Sequence, residues 1–191
     1  MTPRTTKPPT YNAKKANRGK AWESILDEEH YRYLKDRRAI VLRLYPPHRQ
    51  LRRNTDGSAL VRYTEPGPCD YIASTPGETF YLDAKDTEAD ELGLAMVKDH
   101  QAAKLTEMEA MNASNIGGIL LRLGITAAHR HWFVPWMTLA GPWRHWSTTA
   151  RVKAKAGENR VGLDWLARNA IRIYGGSDWL TAATTFTRGI R

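Results

Sequence analysis

The turn Thr75-Pro76-Gly77-Glu78 constrains the fold more than any other stretch of this chain. Proline presets the first turn dihedral, and glycine accepts conformations closed to other residues. Two short β-rich segments, Asp70 to Ser74 and Thr79 to Ala84, flank it, so a hairpin is expected. Side chains two apart on a strand share a face, which places Asp83 and Lys85 together, and the hairpin return can bring Asp70 beside them. Two carboxylates and a lysine at one sheet edge suit a hard cation held by oxygen ligands, with an ammonium to orient an attacking water. The same D-x-K spacing in an arbitrary sequence is more often an edge-strand ion pair.

Elements on either side of this hairpin read as a mixed α/β chain. Asn17 can cap a helix running from about Arg18 to Asp36, with Trp22, Ile25, Leu26, Glu29 and Tyr33 at helical spacing. A strand over Ala39 to Tyr45 is stopped by Pro46-Pro47. A second hairpin is expected from His48 to Asn54 and Ser58 to Tyr63 around Asp56-Gly57. An apolar face at Leu94, Val97, Leu105 and Met108 predicts a helix from Leu94 to Met111. Gly117 to Leu123 and His131 to Met137 predict strands, the latter ended by Gly141-Pro142. A helix over Gly162 to Tyr174 and a short one over Asp178 to Thr184 follow. Residues 1–16 are expected as a disordered basic tail, 17–146 as one principal domain, and 147–191 as a basic linker with a C-terminal helical extension.

Charge narrows the partners. The 191 residues hold 29 Lys and Arg against 20 Asp and Glu, a net +9, and the pI is near 9.8. A polyanion is implied, with nucleic acid first and an anionic membrane surface second. Arg4, Lys7, Lys14, Lys15, Arg18 and Lys20 sit in an acid-free opening stretch, and Arg49, Arg52 and Arg53 sit on the second hairpin, all expected to touch phosphates. No run has the apolar length that a bilayer span needs, and no apolar stretch follows the basic opening as in a secretory signal. A lone Cys69 fits a reducing compartment and excludes a cysteine-rich zinc module. His129 and His131 lack nearby carboxylates, so no zinc is assigned. Trp132, Trp136, Trp143 and Trp146 could stack on bases, but core or subunit contacts are the better reading.

The order Glu23, Gly67-Pro68-Cys69-Asp70, Asp83-Ala84-Lys85, Asp99-His100-Gln101 and Gly117-Gly118-Ile119 resembles the PD-(D/E)xK nucleases. Within them, Asn17-Arg18-Gly19-Lys20 with Glu23, the Asp70 strand, Asp83-Ala84-Lys85 and His100-Gln101 look most like the RecU-type Holliday-junction resolvases of bacteria and their phages. The resemblance covers about Asn17 to Leu123. It implies a restriction-endonuclease-like α/β fold, a mixed central sheet flanked by helices. It also implies a homodimer that cuts branched DNA with magnesium, for which manganese would substitute, in the cytoplasm of a bacterium or a phage-infected host. Asp70, Asp83 and Glu23 would serve the metal, Lys85 the nucleophile, and Gln101 would support them from its helix. The family usually carries Glu where this chain has Asp83. The competing readings are a related nuclease acting on duplex DNA or its ends, and a non-catalytic DNA-binding protein in which Asp70, Asp83 and Lys85 are structural.

Overall fold

The computed structural model of the protein describes residues 11–124, 130–150, 159–174 and 176–190. In chain order the elements are α1 (Tyr11–Lys35), β1 (Ile40–Arg43), β2 (His48–Arg53), β3 (Ala59–Tyr63), β4 (Tyr71–Ser74), β5 (Thr79–Thr87), β6 (Glu91–Gly93), α2 (Asp99–Met111), β7 (Asn115–Leu123), β8 (Arg130–Pro135), α3 (Trp136–His145), β9 (Arg160–Gly162), α4 (Leu163–Asn169), β10 (Ile171–Ile173) and α5 (Trp179–Ile190).

Six strands form one sheet in the order β1-β4-β5-β7-β8-β10. Only β5 and β7 run parallel within it, and that pair is joined through α2, since parallel neighbours need a crossover. Alternation along β5 and β7 then sends residues to two helix layers. Phe80, Leu82 and Leu120 face α1 and α5, where Trp22, Leu26, Tyr33 and Trp179 are buried. Ile119, Leu121 and Leu123 face α2 and α3, against Leu105, Trp136 and Leu139. Each fully buried large side chain stabilises by about 2 kcal/mol, so both layers are needed. Gly118 lets Phe133 of β8 press on the sheet, because a Cβ there would lie 2.4 Å from the ring.

The hairpin β2–β3 stands apart from this sheet, its strands paired only with each other. Gly57, at φ 86°, forms its turn, and Asp56 accepts the backbone N–H of Ser58 at 2.9 Å. Register places Arg49 directly across from Arg62, a like-charge pair that weakens a ladder already lacking a third strand.

Several expectations are corrected. Residues 11–16 of the expected tail belong to α1, whereas Arg4 and Lys7 lie outside the described residues. The helix expected from Leu94 begins at Asp99, after a single tight turn over Leu94–Met96, because the Gln101 side chain accepts the backbone N–H of Lys98 and starts the helix there. The strand expected over His131 to Met137 ends at Pro135, and Trp136 opens α3 with Pro142 inside it. The segment Gly162 to Tyr174 is a short helix followed by β10, which pairs antiparallel with β8. The expected limit at 146 is not a boundary of the core: β10 completes the central sheet and Trp179 of α5 is seated at 0% exposure in it. Trp132, Trp136 and Trp146 are buried as well, so they are core and provide no surface for a subunit contact.

Candidate active site

Asp70 precedes β4, and the register Tyr71↔Leu82 continues to place it opposite Asp83. Its backbone N–H donates to Leu82 O at 2.9 Å, while its Oδ2 accepts the Ala84 N–H at 2.8 Å. The backbone of β5 thus fixes the Asp70 carboxylate beside the next odd-numbered residues of that strand. Asp83 and Lys85 point to the face of α2, where Lys85 ion-pairs with Asp83. Gln101, in the first turn of α2, donates its amide N–H to Asp83 Oδ1 at 2.6 Å. Its amide oxygen accepts from Lys85 Nζ at 3.4 Å and from the Lys98 N–H at 3.0 Å.

The electrostatics follow from burial. Asp83 is 0% exposed. Its pKa is pushed up to about 7, first by loss of solvent, against the pull of Lys85, and then further by the Asp70 carboxylate. Asp83 thus faces one ammonium and one further carboxylate, and the second negative charge calls for a proton or a cation. Among the described residues, no three carboxylate, imidazole or thiol groups converge on one point. The oxygen donors of Asp70 and Asp83 still fit magnesium, which binds through one or two carboxylates and fills its shell with water and substrate phosphate. Cys69 lies close by, but burial pushes its thiol up to about 11 and it donates to Tyr71 O.

Glu23 does not join this group. It lies on α1, across the sheet from Asp83, and its carboxylate ion-pairs with Arg43 of β1, which also binds Asp27 at 2.8 Å. The resemblance that implies a metal role for Glu23 carries no sign of this Arg43 pairing. Of the expected phosphate contacts, Arg49, Arg52 and Arg53 are exposed on the projecting hairpin and Lys20 is exposed on α1. Lys14, Lys15 and Arg18 fall on the first turns of α1. His131 stacks on Trp22, with ring centroids 4.7 Å apart, and His129 lies outside the described residues.

One supporting pair was missed. Arg122 of β7 donates to Asp86 of β5 through Nε at 3.0 Å and Nη2 at 2.6 Å, and both side chains are nearly inaccessible. This fork clamps the parallel strands one residue beyond Lys85. The signal available was the arginine standing alone in the apolar run Gly117 to Leu123.

A mixed sheet flanked by helices, with Asp70, Asp83 and Lys85 gathered at one strand end, is of the restriction-endonuclease-like α/β class. Residues 17–179 match the family model of recombination protein U, RecU. The chain belongs to the RecU family, the family of Holliday-junction-resolving endonucleases. The match extends well past Leu123, where the sequence resemblance stopped. Among solved structures the chain is similar to Hjc, a Holliday junction resolvase from the archaeal hyperthermophile Archaeoglobus fulgidus, at 12% identity and a TM-score of 0.44, covering 76% of this chain and 93% of that one. No curated protein matches it. Among the described residues, no helix is long and apolar enough to cross a membrane.

Proposed function

We propose that this RecU-family endonuclease resolves four-way DNA junctions by magnesium-dependent phosphodiester hydrolysis, working as a two-fold homodimer, with Asp70 and Asp83 as metal ligands. The observation that carries the reading is the convergence of Asp70, Asp83, Lys85 and Gln101 at one strand end, with Asp83 buried and holding its proton up to about 7. Bound magnesium supplies neutralisation of the phosphate charge and a more acidic water. Lys85 lies against this pair, where its ammonium orients the water and faces the charge that builds on the phosphoryl oxygens. Gln101 holds Asp83 and Lys85 in one arrangement. Glu23 is left out of the ligand set because Arg43 occupies its carboxylate.

Branched DNA is met by the exposed arginines of β2–β3, including Arg49, Arg52 and Arg53, which project from the sheet as an isolated ribbon. The two-fold arrangement follows from the substrate, because a four-way junction offers two equivalent strands and each protomer holds one set of Asp70, Asp83 and Lys85.

The test compares a four-way junction, a linear duplex and a single strand, with and without magnesium, using wild type, Asp83→Asn, Asp70→Asn and Lys85→Ala. Magnesium-dependent paired cuts in the junction are expected from wild type alone, with junction binding retained in both Asn variants. Wild-type turnover in either Asn variant would remove the metal assignment.

A further inference from the structure

At the end of α1 the chain turns through Arg37, whose φ of 56° makes it the one non-glycine residue with positive φ among those described. The Arg38 N–H donates to Tyr33 O at 2.9 Å and the Arg37 N–H to Leu34 O at 3.2 Å. This is the double hydrogen bond of a helix terminator that normally carries glycine at the left-handed position, because a Cβ there is strained. Arg38 accounts for itself: it forks onto Asp178 at 3.2 Å and lies 5.0 Å over the Tyr33 ring. Arg37 does not, since its side chain is exposed and has no partner among the described residues. Strain held by an exposed, unpaired guanidinium points to a ligand rather than to folding.

The surroundings define the ligand. Arg37, Arg38 and Arg188 border a groove of about 560 Å³ between the end of α1, the Pro76-Gly77 turn and α5. Arg188 of α5 is likewise exposed and unpartnered among the described residues. One carboxylate, Glu78, lines the groove too, but it already accepts from Thr75 at 3.2 Å and from Thr187 at 3.4 Å. Two free guanidinium forks across an open, hydroxyl-rich groove match the oxygens of phosphate.

The groove lies at the opposite end of β5 from Lys85. The strand between Thr79 and Lys85 spans roughly 20 Å, and the groove opens on the α1 and α5 layer, away from Gln101. A phosphate seated there therefore belongs to a stretch other than the one being cut. We infer that this groove is a second phosphate-binding site, holding the backbone of a DNA arm distinct from the arm that enters the catalytic face; the inference rests on the junction-resolving reading above.

The experiment uses the full chain with Arg37→Gly, Arg188→Ala and the double variant. Melting temperature is read without DNA, junction affinity is read across a salt series, and cleavage is resolved into kcat and KM. Arg37→Gly is expected to melt higher than wild type, because glycine relieves the backbone, while binding the junction more weakly. The salt slope should flatten by about 0.9 for each arginine that loses a phosphate contact, and the cleavage defect should fall on KM rather than kcat. An unchanged slope in the double variant overturns the proposal, as does a lower melting temperature in Arg37→Gly, which would make the side chain a packing element. Inorganic phosphate that raises the wild-type melting temperature but not the double variant's, without any difference in DNA slope, would mark a small-anion site and overturn the DNA assignment. Failure of the parent reading looks different, since wild type itself would then neither bind nor cut the junction.

Discussion

Gln101 Nε2 donates to Asp83 Oδ1 at 2.6 Å, while the oxygen of the same amide faces Lys85 Nζ at 3.4 Å. The amide reads polarity in both directions: reversed, it would set oxygen against carboxylate and N–H against ammonium. Gln101 is thus a positioning residue that bridges the Asp83–Lys85 ion pair and fixes the orientation of both side chains. Gln101→Ala is expected to lower kcat by roughly tenfold, the equivalent of about 1.4 kcal/mol in one charge-assisted hydrogen bond. Single-turnover cleavage over a magnesium series checks it. An unchanged rate and magnesium dependence would make the amide a structural cap of α2 alone.

Asp83 couples stability to pH. In the unfolded chain its carboxyl loses its proton near the ordinary value of 3.8, but in the metal-free fold only near 7. Between these values the folded state holds the extra proton, so metal-free stability falls as the pH rises from about 4 to about 7 and levels off above. Asp83→Asn removes this penalty. It is expected to melt at least about 2 °C above wild type near pH 8, with the gap closing toward pH 4. Magnesium must displace the same proton, so the rise in melting temperature that it produces in wild type should be larger near pH 8 than near pH 6, and absent in Asp83→Asn. Thermal melts across that grid decide the point.

The β2–β3 ribbon makes a separable prediction about DNA. Replacing Arg49, Arg52 and Arg53 by alanine is expected to weaken junction binding and flatten the salt slope by up to about 2.7, at 0.9 per lost contact. It should leave the melting temperature nearly unchanged, because these side chains are exposed and Arg49 already faces Arg62. A preserved slope in a salt titration would remove the ribbon from the DNA interface.

In the proposed homodimer, two sites in one particle would turn the second cut into an intramolecular event at high effective concentration. Wild-type protein is expected to linearise a supercoiled cruciform plasmid in one encounter, whereas dimers mixing wild type with Asp83→Asn should nick it. With Trp132, Trp136 and Trp146 withdrawn into the core, an apolar surface remains on the free edge strand β1, where Ile40 and Leu42 are 57% and 60% exposed. Sedimentation as a monomer with junction present, together with paired cuts, would defeat the dimer.

What the sequence made legible was local. Pro76-Gly77 and the alternation of Asp83 and Lys85 specify a hairpin and its face without help from distant residues, and Asp56-Gly57 does the same for β2–β3. The spacing of Trp22, Leu26 and Tyr33 shows a helix because all three are buried on one side. Nonlocal terms hid the rest. Ile171–Ile173 is a strand only because β8 offers an edge, and three residues carry no period of their own. Trp132 to Met137 is apolar on every side, so neither a strand nor a helix pattern could reveal that Pro135 ends one element and caps the next. The resemblance brings Glu23 to the metal, while the Arg43 that pairs with it arrives from another strand and leaves no local mark in the sequence.

The seat of β10 on β8 has a consequence for how the protein is made. During synthesis the outer edge of β8 stays bare until residues 171–173 emerge, and Tyr33 and His30 lack their cover until Trp179 follows, a delay of a few seconds at about 5–20 residues per second. Through that interval the nascent chain exposes an unpaired strand and an open aromatic cleft, the features that recruit other chains. A message cut short after the codon for Trp146 would then yield aggregates rather than a slower enzyme, and a holding chaperone at the ribosome would matter most over the residues that follow Trp146.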